Sequence, residues 1–153
     1  MGEQDAHLTS STFWTWKERG GGWSLFDGPP PGAPVGAPNG PVRPDYLEQL
    51  SRVLPLATAG RLDSFAYNTT TQVFAMSATA PAGGVDGAAR GTPPPTPPAS
   101  SLVYIPAHVA RPDSDLAVGG SARLAGVERQ PDDSRLVTVA VRNDGGGYTV
   151  RLG

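Results

Sequence analysis

The stretch Arg135-Leu136-Val137-Thr138-Val139-Ala140-Val141, followed by Asn143-Asp144-Gly145-Gly146-Gly147 and Tyr148-Thr149-Val150-Arg151-Leu152, decides the fold class. The residues on either side of the turn are mostly β-branched, aromatic or aliphatic. Such residues fit a pleated, half-buried surface, and successive side chains on a strand point to opposite faces. Asp-Gly between them supplies the positive φ that a tight turn needs. The spacing therefore predicts strands at 135–141 and 147–152, with hairpin glycines at 145–147. Upstream, the same reasoning predicts strands at 62–67 and 72–78, joined by the Asn68-Thr69-Thr70-Thr71 turn, and at 101–105, 115–118 and 121–127, with Gly119-Gly120 as a further hairpin turn. About seven short strands with frequent turn signals predict a mainly β fold, a small antiparallel β-sandwich over residues 55–153. Residues 81–99 interrupt it with Gly, Ala and Pro and read as a disordered insert. Its Pro93-Pro94-Pro95-Thr96-Pro97-Pro98 run also fits a polyproline II ligand for a partner.

Residues before 55 read differently. Ser11-Thr12-Phe13-Trp14-Thr15-Trp16 is β-branched and aromatic and predicts one short strand, ended by Gly20-Gly21-Gly22. Residues 28–44 hold too many prolines for a helix or a central strand and form a loop. Apolar positions 46, 47, 50, 53 and 54, between Pro44 and Pro55, predict one amphipathic helix over 44–54.

Composition narrows the function. The 153 residues include 20 Gly and 17 Pro, each about double ordinary usage. With no Cys there is neither a disulfide framework nor a thiolate nucleophile or metal ligand. A net charge of −2 argues against an electrostatic nucleic-acid binder. No apolar run approaches the ~20 residues of a transmembrane segment. The first 25 residues lack the pattern of a secretory signal.

Two blocks together resemble the C-terminal end of family 5 glycoside hydrolases of the endoglycoceramidase-like branch. The first is Phe13-Trp14-Thr15-Trp16-Lys17-Glu18 with Trp23-Ser24-Leu25-Phe26-Asp27, similar to the last barrel strand and the loop after it. The second starts at Arg52-Val53-Leu54-Pro55-Leu56-Ala57-Thr58-Ala59-Gly60. It continues through Phe65-Ala66-Tyr67, Val73-Phe74, Leu102-Val103-Tyr104-Ile105-Pro106 and Tyr148-Thr149-Val150-Arg151-Leu152, similar to the family's sandwich strands. The resemblance implies a parent enzyme in which a (β/α)8 barrel hydrolyses O-glycosyl bonds with retention, such as those of glycolipids or steryl glucosides, while a C-terminal sandwich packs on the barrel. Residues 1–54 would then be an incomplete barrel remnant of one strand and one helix, and the missing catalytic barrel would be the sandwich's partner in cis. The resemblance implies no cofactor. Relatives are often secreted, and nothing in the chain itself assigns a compartment.

Retaining hydrolysis needs two carboxylates about 5–5.5 Å apart. In the family these end barrel strands four and seven, upstream of the resembling blocks, so no catalytic residue is carried over. A barrel also needs at least about 200 residues. The resemblance does assign sugar contact, in a full-length parent, to Trp14, Trp16 and Lys17; packing is the other reading of the two indoles. Glu18 and Asp27, with Glu3 and Asp5, are the carboxylates near the aromatic cluster and read as solvated loop charges. His7 and His108 lack a partner at ligand or triad spacing. Asp113, Asp115, Asp132 and Asp133 match no calcium-loop signature and read as turn residues. The alternative to a non-catalytic glycosidase piece is an independent β-sandwich that binds a carbohydrate or a protein.

Overall fold

A computed structural model describes residues 7–8, 26–29, 31–34, 37, 40–44, 50–83 and 99–153. Among these residues there are eight strands: β1 (Leu54–Ala57), β2 (Arg61–Asn68), β3 (Val73–Thr79), β4 (Ala99–Ile105), β5 (Leu116–Gly120), β6 (Ala122–Arg129), β7 (Arg135–Val141) and β8 (Gly147–Leu152). They form two four-stranded antiparallel sheets, sheet I with order β1-β4-β7-β6 and sheet II with order β2-β3-β8-β5.

Alternation builds the core. Val137, Val139 and Val141 of β7 and Val103 and Ile105 of β4 are buried in sheet I. Phe74, Met76 and Ala78 of β3 face them from sheet II, with Tyr148, Val150 and Leu152 of β8. Each such aliphatic or aromatic side chain removed from water contributes roughly 1.5–3 kcal/mol. Val53, just ahead of β1, is fully buried in the same cluster.

Four expectations change. The helix expected over 44–54 does not reach its end: Pro44 and Leu50 are helical, residues 45–49 lie outside the described residues, and Leu54 already belongs to β1. Pro55 is admissible there because β1 is an edge strand that pairs with β4 alone. The glycines at 145–147 do not make a hairpin, since β7 lies in sheet I and β8 in sheet II. Gly119-Gly120 likewise precedes a change of sheet, from β5 to β6. The insert is ordered at both ends: Ala82 bridges Asp144, Gly83 N–H donates to the Asn143 carbonyl, and Ala99 starts β4, while 84–98 lie outside the described residues. The hairpins that do form are β2–β3, whose turn is closed by Thr71 N–H donating to Asn68 Oδ1 at 2.9 Å, and β6–β7.

Two glycines show why the sheet changes fit. Gly60, between β1 and β2, has φ +81°, and a Cβ there would lie 2.1 Å from the Thr79 carbonyl oxygen. Gly120 has φ +76°, and its Cβ would lie 2.2 Å from the Gly147 carbonyl oxygen. Both crossovers pass against backbone, and only glycine permits that approach.

The Pro-rich loop is pinned at its stem. Phe26 bridges Val42, Asp27 N–H donates to the Pro41 carbonyl, and Gly40 N–H donates to the Asp27 carbonyl.

Candidate functional site

The family-implied sugar contacts Trp14, Trp16 and Lys17, and Glu18 with them, lie outside the described residues, as do Glu3 and Asp5. His7 is exposed. Asp27 is exposed, with its main chain engaged in the loop stem. His108 is exposed beside a small cleft with Tyr67, Thr69 and Gln72, and its carbonyl accepts from Gln72 Nε2 at 3.5 Å. The four aspartates are turn and tie residues: Asp113 and Asp115 form a 3-10 turn, and Asp132 and Asp133 sit in the β6–β7 turn. Among the described residues, no three His, Asp or Glu side chains are grouped as metal ligands. No helix among them is long and apolar enough to cross a membrane.

The structure brings other groups together. At the crossover end of the sandwich, a cleft of about 600 Å³ is lined by Gly120, Ala122, Arg123, Ala140, Arg142 and Asn143. It forms because β5–β6 and β7–β8 change sheets side by side: Ser121 N–H donates to the Gly147 carbonyl, and Arg142 N–H donates to the Ser121 carbonyl. Arg142 Nε lies 3.1 Å from Asp144 Oδ2, which offsets part of its charge. The Gly146 N–H, the Ser121 hydroxyl and then the Arg142 charge hold Asp144 below the usual carboxylate pKa. Asn143 Oδ1 is buried without a hydrogen-bond partner. The described lining residues offer two guanidinium groups and one side-chain amide, and no carboxylate is among them.

Two buried polar knots hold the frame. Ala59 N–H donates to Ser101 Oγ at 2.8 Å, Ser101 Oγ lies 2.7 Å from Tyr148 OH, and Tyr148 OH donates to the Ala59 carbonyl at 2.8 Å. The ring closes only if the Ser101 hydroxyl donates to the Tyr148 oxygen. It links β4 of sheet I, β8 of sheet II and the β1–β2 crossover, and it leaves none of its polar atoms unpaired. Burial pushes the Tyr148 phenol up from its usual pKa. At the other knot Arg135 is 5% exposed. Its Nη1 donates to the Arg111 carbonyl at 2.7 Å and to Asp113 Oδ1 at 2.6 Å, and its Nη2 to the Val109 carbonyl at 3.1 Å. This fastens the 106–115 connection, with help from Arg111 Nη2 donating to the Thr71 carbonyl.

Sequence reasoning missed Arg135 as a tie. Its signal was parity: residues 135, 137, 139 and 141 share one face, so a charge at 135 had to enter the core edge and find acceptors. Asn143 read only as turn chemistry, because its role depends on where the insert's ends land.

No protein-family model matches the chain, and no curated protein matches it. Among solved structures the chain is similar to sterylglucosidase 1 of Cryptococcus neoformans. In crystal structures of that protein with hit 1 and with hit 9 the identities are 18% and 19%, both at TM-score 0.38. With Tris the identity is 19% and the TM-score 0.37. In each case the match covers 65% of this chain and 13% of that chain, so this chain spans a small fraction of the protein it resembles.

Proposed function

We propose that the sandwich is the C-terminal, non-catalytic domain of a retaining β-glycosidase of the family 5 endoglycoceramidase-like kind, whose parent hydrolyses an O-glycosyl bond in a glycolipid or steryl glucoside. On this reading the chemistry belongs to a barrel in the longer polypeptide. The sandwich covers part of that barrel, and Trp14, Trp16 and Lys17 complete one wall of the sugar cleft.

The observation that carries this reading is where the resembling blocks fall. Phe65-Ala66-Tyr67 lies on β2, Val73-Phe74 on β3, Leu102 to Ile105 on β4 and Tyr148 to Leu152 on β8. Three of these strands, β3, β4 and β8, are central in their sheets. The blocks thus coincide with the core of a two-sheet sandwich, the architecture the resemblance calls for. Asp113, Asp132 and Asp144 tie turns and loops, a structural use of charge.

The test is to read the coding sequence and the 5′ end of the transcript upstream of Met1. The expected result is a continuous open frame encoding at least about 200 residues of barrel with two carboxylates at strand ends. A transcript that starts at Met1 overturns the reading in favour of an independent binding module. Purified chain is expected to leave an aryl β-glucoside intact; turnover that disappears in Glu18→Gln would also overturn it.

A further inference from the structure

The cleft at the crossover end holds positive charge without enough negative charge to match it. Val139 and Val141 are buried, so Ala140 and Arg142 lie on the outer face of sheet I, and Arg123 joins them as the cross-strand partner of Ala140. Arg123 and Arg142 are thus diagonal neighbours on one face, a spacing within reach of long side chains, and both line the cleft. Two guanidinium charges so placed repel each other. The nearby carboxylate is already engaged: Asp144 places Oδ2 3.1 Å from Arg142 Nε and accepts the Gly146 N–H on Oδ1 at 2.9 Å. Arg123 is exposed, with no ion pair or side-chain hydrogen bond among the described residues. Gly120, Ala122 and Ala140 also line the cleft, and with so little side chain they leave its volume of about 600 Å³ open. Asn143 adds an amide to the lining, and its Oδ1 has no hydrogen-bond partner.

We propose that this cleft binds a hydroxylated organic oxyanion of about monosaccharide size, carrying a carboxylate or a phosphate, with Arg123 as the main clamp and Arg142 as the second cation. Four observations select this ligand. First, a guanidinium presents its donors in a planar fork that matches the oxygens of a carboxylate or phosphate. Arg123 has its whole fork uncommitted, and Arg142, with Nε on Asp144 and Nη2 on the Gly120 carbonyl at 3.4 Å, keeps Nη1. Second, the volume of the cleft falls within the range of small-molecule sites, roughly 300–1,000 Å³, so an inorganic ion would leave most of it empty. Third, no aromatic ring is among the described lining residues, so a neutral polyol finds no stacking platform and charge has to supply the selectivity. The Asn143 amide can both donate and accept, as a ligand hydroxyl requires. Fourth, the chain as a whole carries a net charge of −2, so an anion is drawn here by the local pair of arginines and not by the overall field. The inference concerns the sandwich alone and does not depend on the parent enzyme.

The experiment is a titration of the full 153-residue chain, followed by backbone amide chemical shifts at constant ionic strength, with glucuronate, glucose 6-phosphate, inorganic phosphate and glucose. Glucuronate or glucose 6-phosphate should saturate with a Kd on the order of 1 mM or tighter and move the amides of Gly120, Arg123 and Asn143, leaving those of Ala66 and Ala75 on sheet II in place. The tighter of the two tells whether the oxyanion is a carboxylate or a phosphate. Glucose should move nothing, and inorganic phosphate should bind clearly more weakly than the organic anions. Arg123→Gln should weaken binding about tenfold with no change in the urea midpoint, since that side chain has no partner to lose. Arg142→Gln should weaken it less, because Asp144 already offsets part of its charge. Arg151→Gln, on the outer face of sheet II, should leave binding unchanged. Inorganic phosphate binding as tightly as both organic anions overturns the proposal, since the cleft then holds an adventitious ion only. Equal binding of glucose, no binding of either organic anion, or full affinity in Arg123→Gln overturns it too. The shift map uses the unaltered protein, so shifts confined to residues away from the cleft overturn the proposal even if a variant fails to fold.

Discussion

Sheets I and II meet in one core but face outward differently. Along β4 and β7 the outward positions include Leu102, Tyr104 and Leu136; along β3 and β8 they include Ala75, Ser77, Thr149 and Arg151. Sheet II finishes its surface with small polar contacts, such as Ser64 Oγ to Ser77 Oγ at 2.8 Å and Thr79 Oγ1 donating to Asp63 Oδ2 at 2.8 Å. One face is suited to water and the other to cover. A sheet with one hydrated face shows clean apolar-in, polar-out alternation, whereas a sheet buried on both faces reads as a continuous apolar run. Arg-Leu-Val-Thr-Val-Ala-Val of β7 is closer to the second pattern.

The strongest way to break the comparison is to apply one chemical change to both faces. Leu152 is fully buried between the sheets, and Leu152→Ala is expected to cost about 2–5 kcal/mol in urea unfolding. Leu136 is only partly buried on the outer face of sheet I, and Leu136→Ala is expected to cost less than half as much. A cost equal to that of Leu152→Ala would mean that sheet I is buried on both sides.

Next in size is the crossover at Gly60. An alanine there takes on a left-handed φ worth about 1–3 kcal/mol in strain, with its Cβ against the Thr79 carbonyl. Gly60→Ala should therefore lower the unfolding midpoint clearly, while a substitution at Gly126, where a Cβ meets nothing within 4 Å, should not.

The polar ring between the sheets comes third. Tyr148→Phe removes the hydroxyl that receives from Ser101 and donates to Ala59, at an expected cost of about 1–3 kcal/mol. Its pH signature is on the alkaline side. The folded-state pKa of Tyr148 is raised by burial, so its contribution is fully present below the unfolded value near 10 and is lost as pH rises through the folded value. Tyr148→Phe should flatten that limb of the stability profile.

Much of this frame was legible in the sequence and some of it was not, for physical reasons. Strands β7 and β8 were found residue for residue, because alternation and β-branching are local signals. Strand β1 was missed because Leu54-Pro55-Leu56-Ala57 continues a helical apolar spacing, and its strand pairing comes only from β4, some 45 residues away. The Gly-rich turns were found, but their use was not. The same Asp-Gly chemistry closes a hairpin or carries the chain between sheets, and sheet membership is decided by long-range packing. Arg135 was visible as an inward charge only once the parity of β7 was read against its buried valines. The Trp14, Trp16 and Lys17 contacts rest on resemblance and fall outside the described residues.

The smallest expected effect separates the sheets by acid. Thr79 and then Arg61 hold Asp63, on sheet II, below the usual carboxylate range; the Ser134 hydroxyl and backbone do the same for Asp132 in the β6–β7 turn of sheet I. A depressed folded pKa contributes stability that is present above the unfolded value near 3.9 and is lost as pH falls through the folded value. Asp63→Asn and Asp132→Asn should therefore each destabilise slightly at neutral pH and make the profile less steep below about pH 4. Both groups are solvated, so salt should shrink the Asp63 effect, part of which is the charge of Arg61, more than the Asp132 effect, which is hydrogen bonding within one turn. Equal salt sensitivity would show that the ion pair on the hydrated face of sheet II contributes nothing beyond its hydrogen bonds.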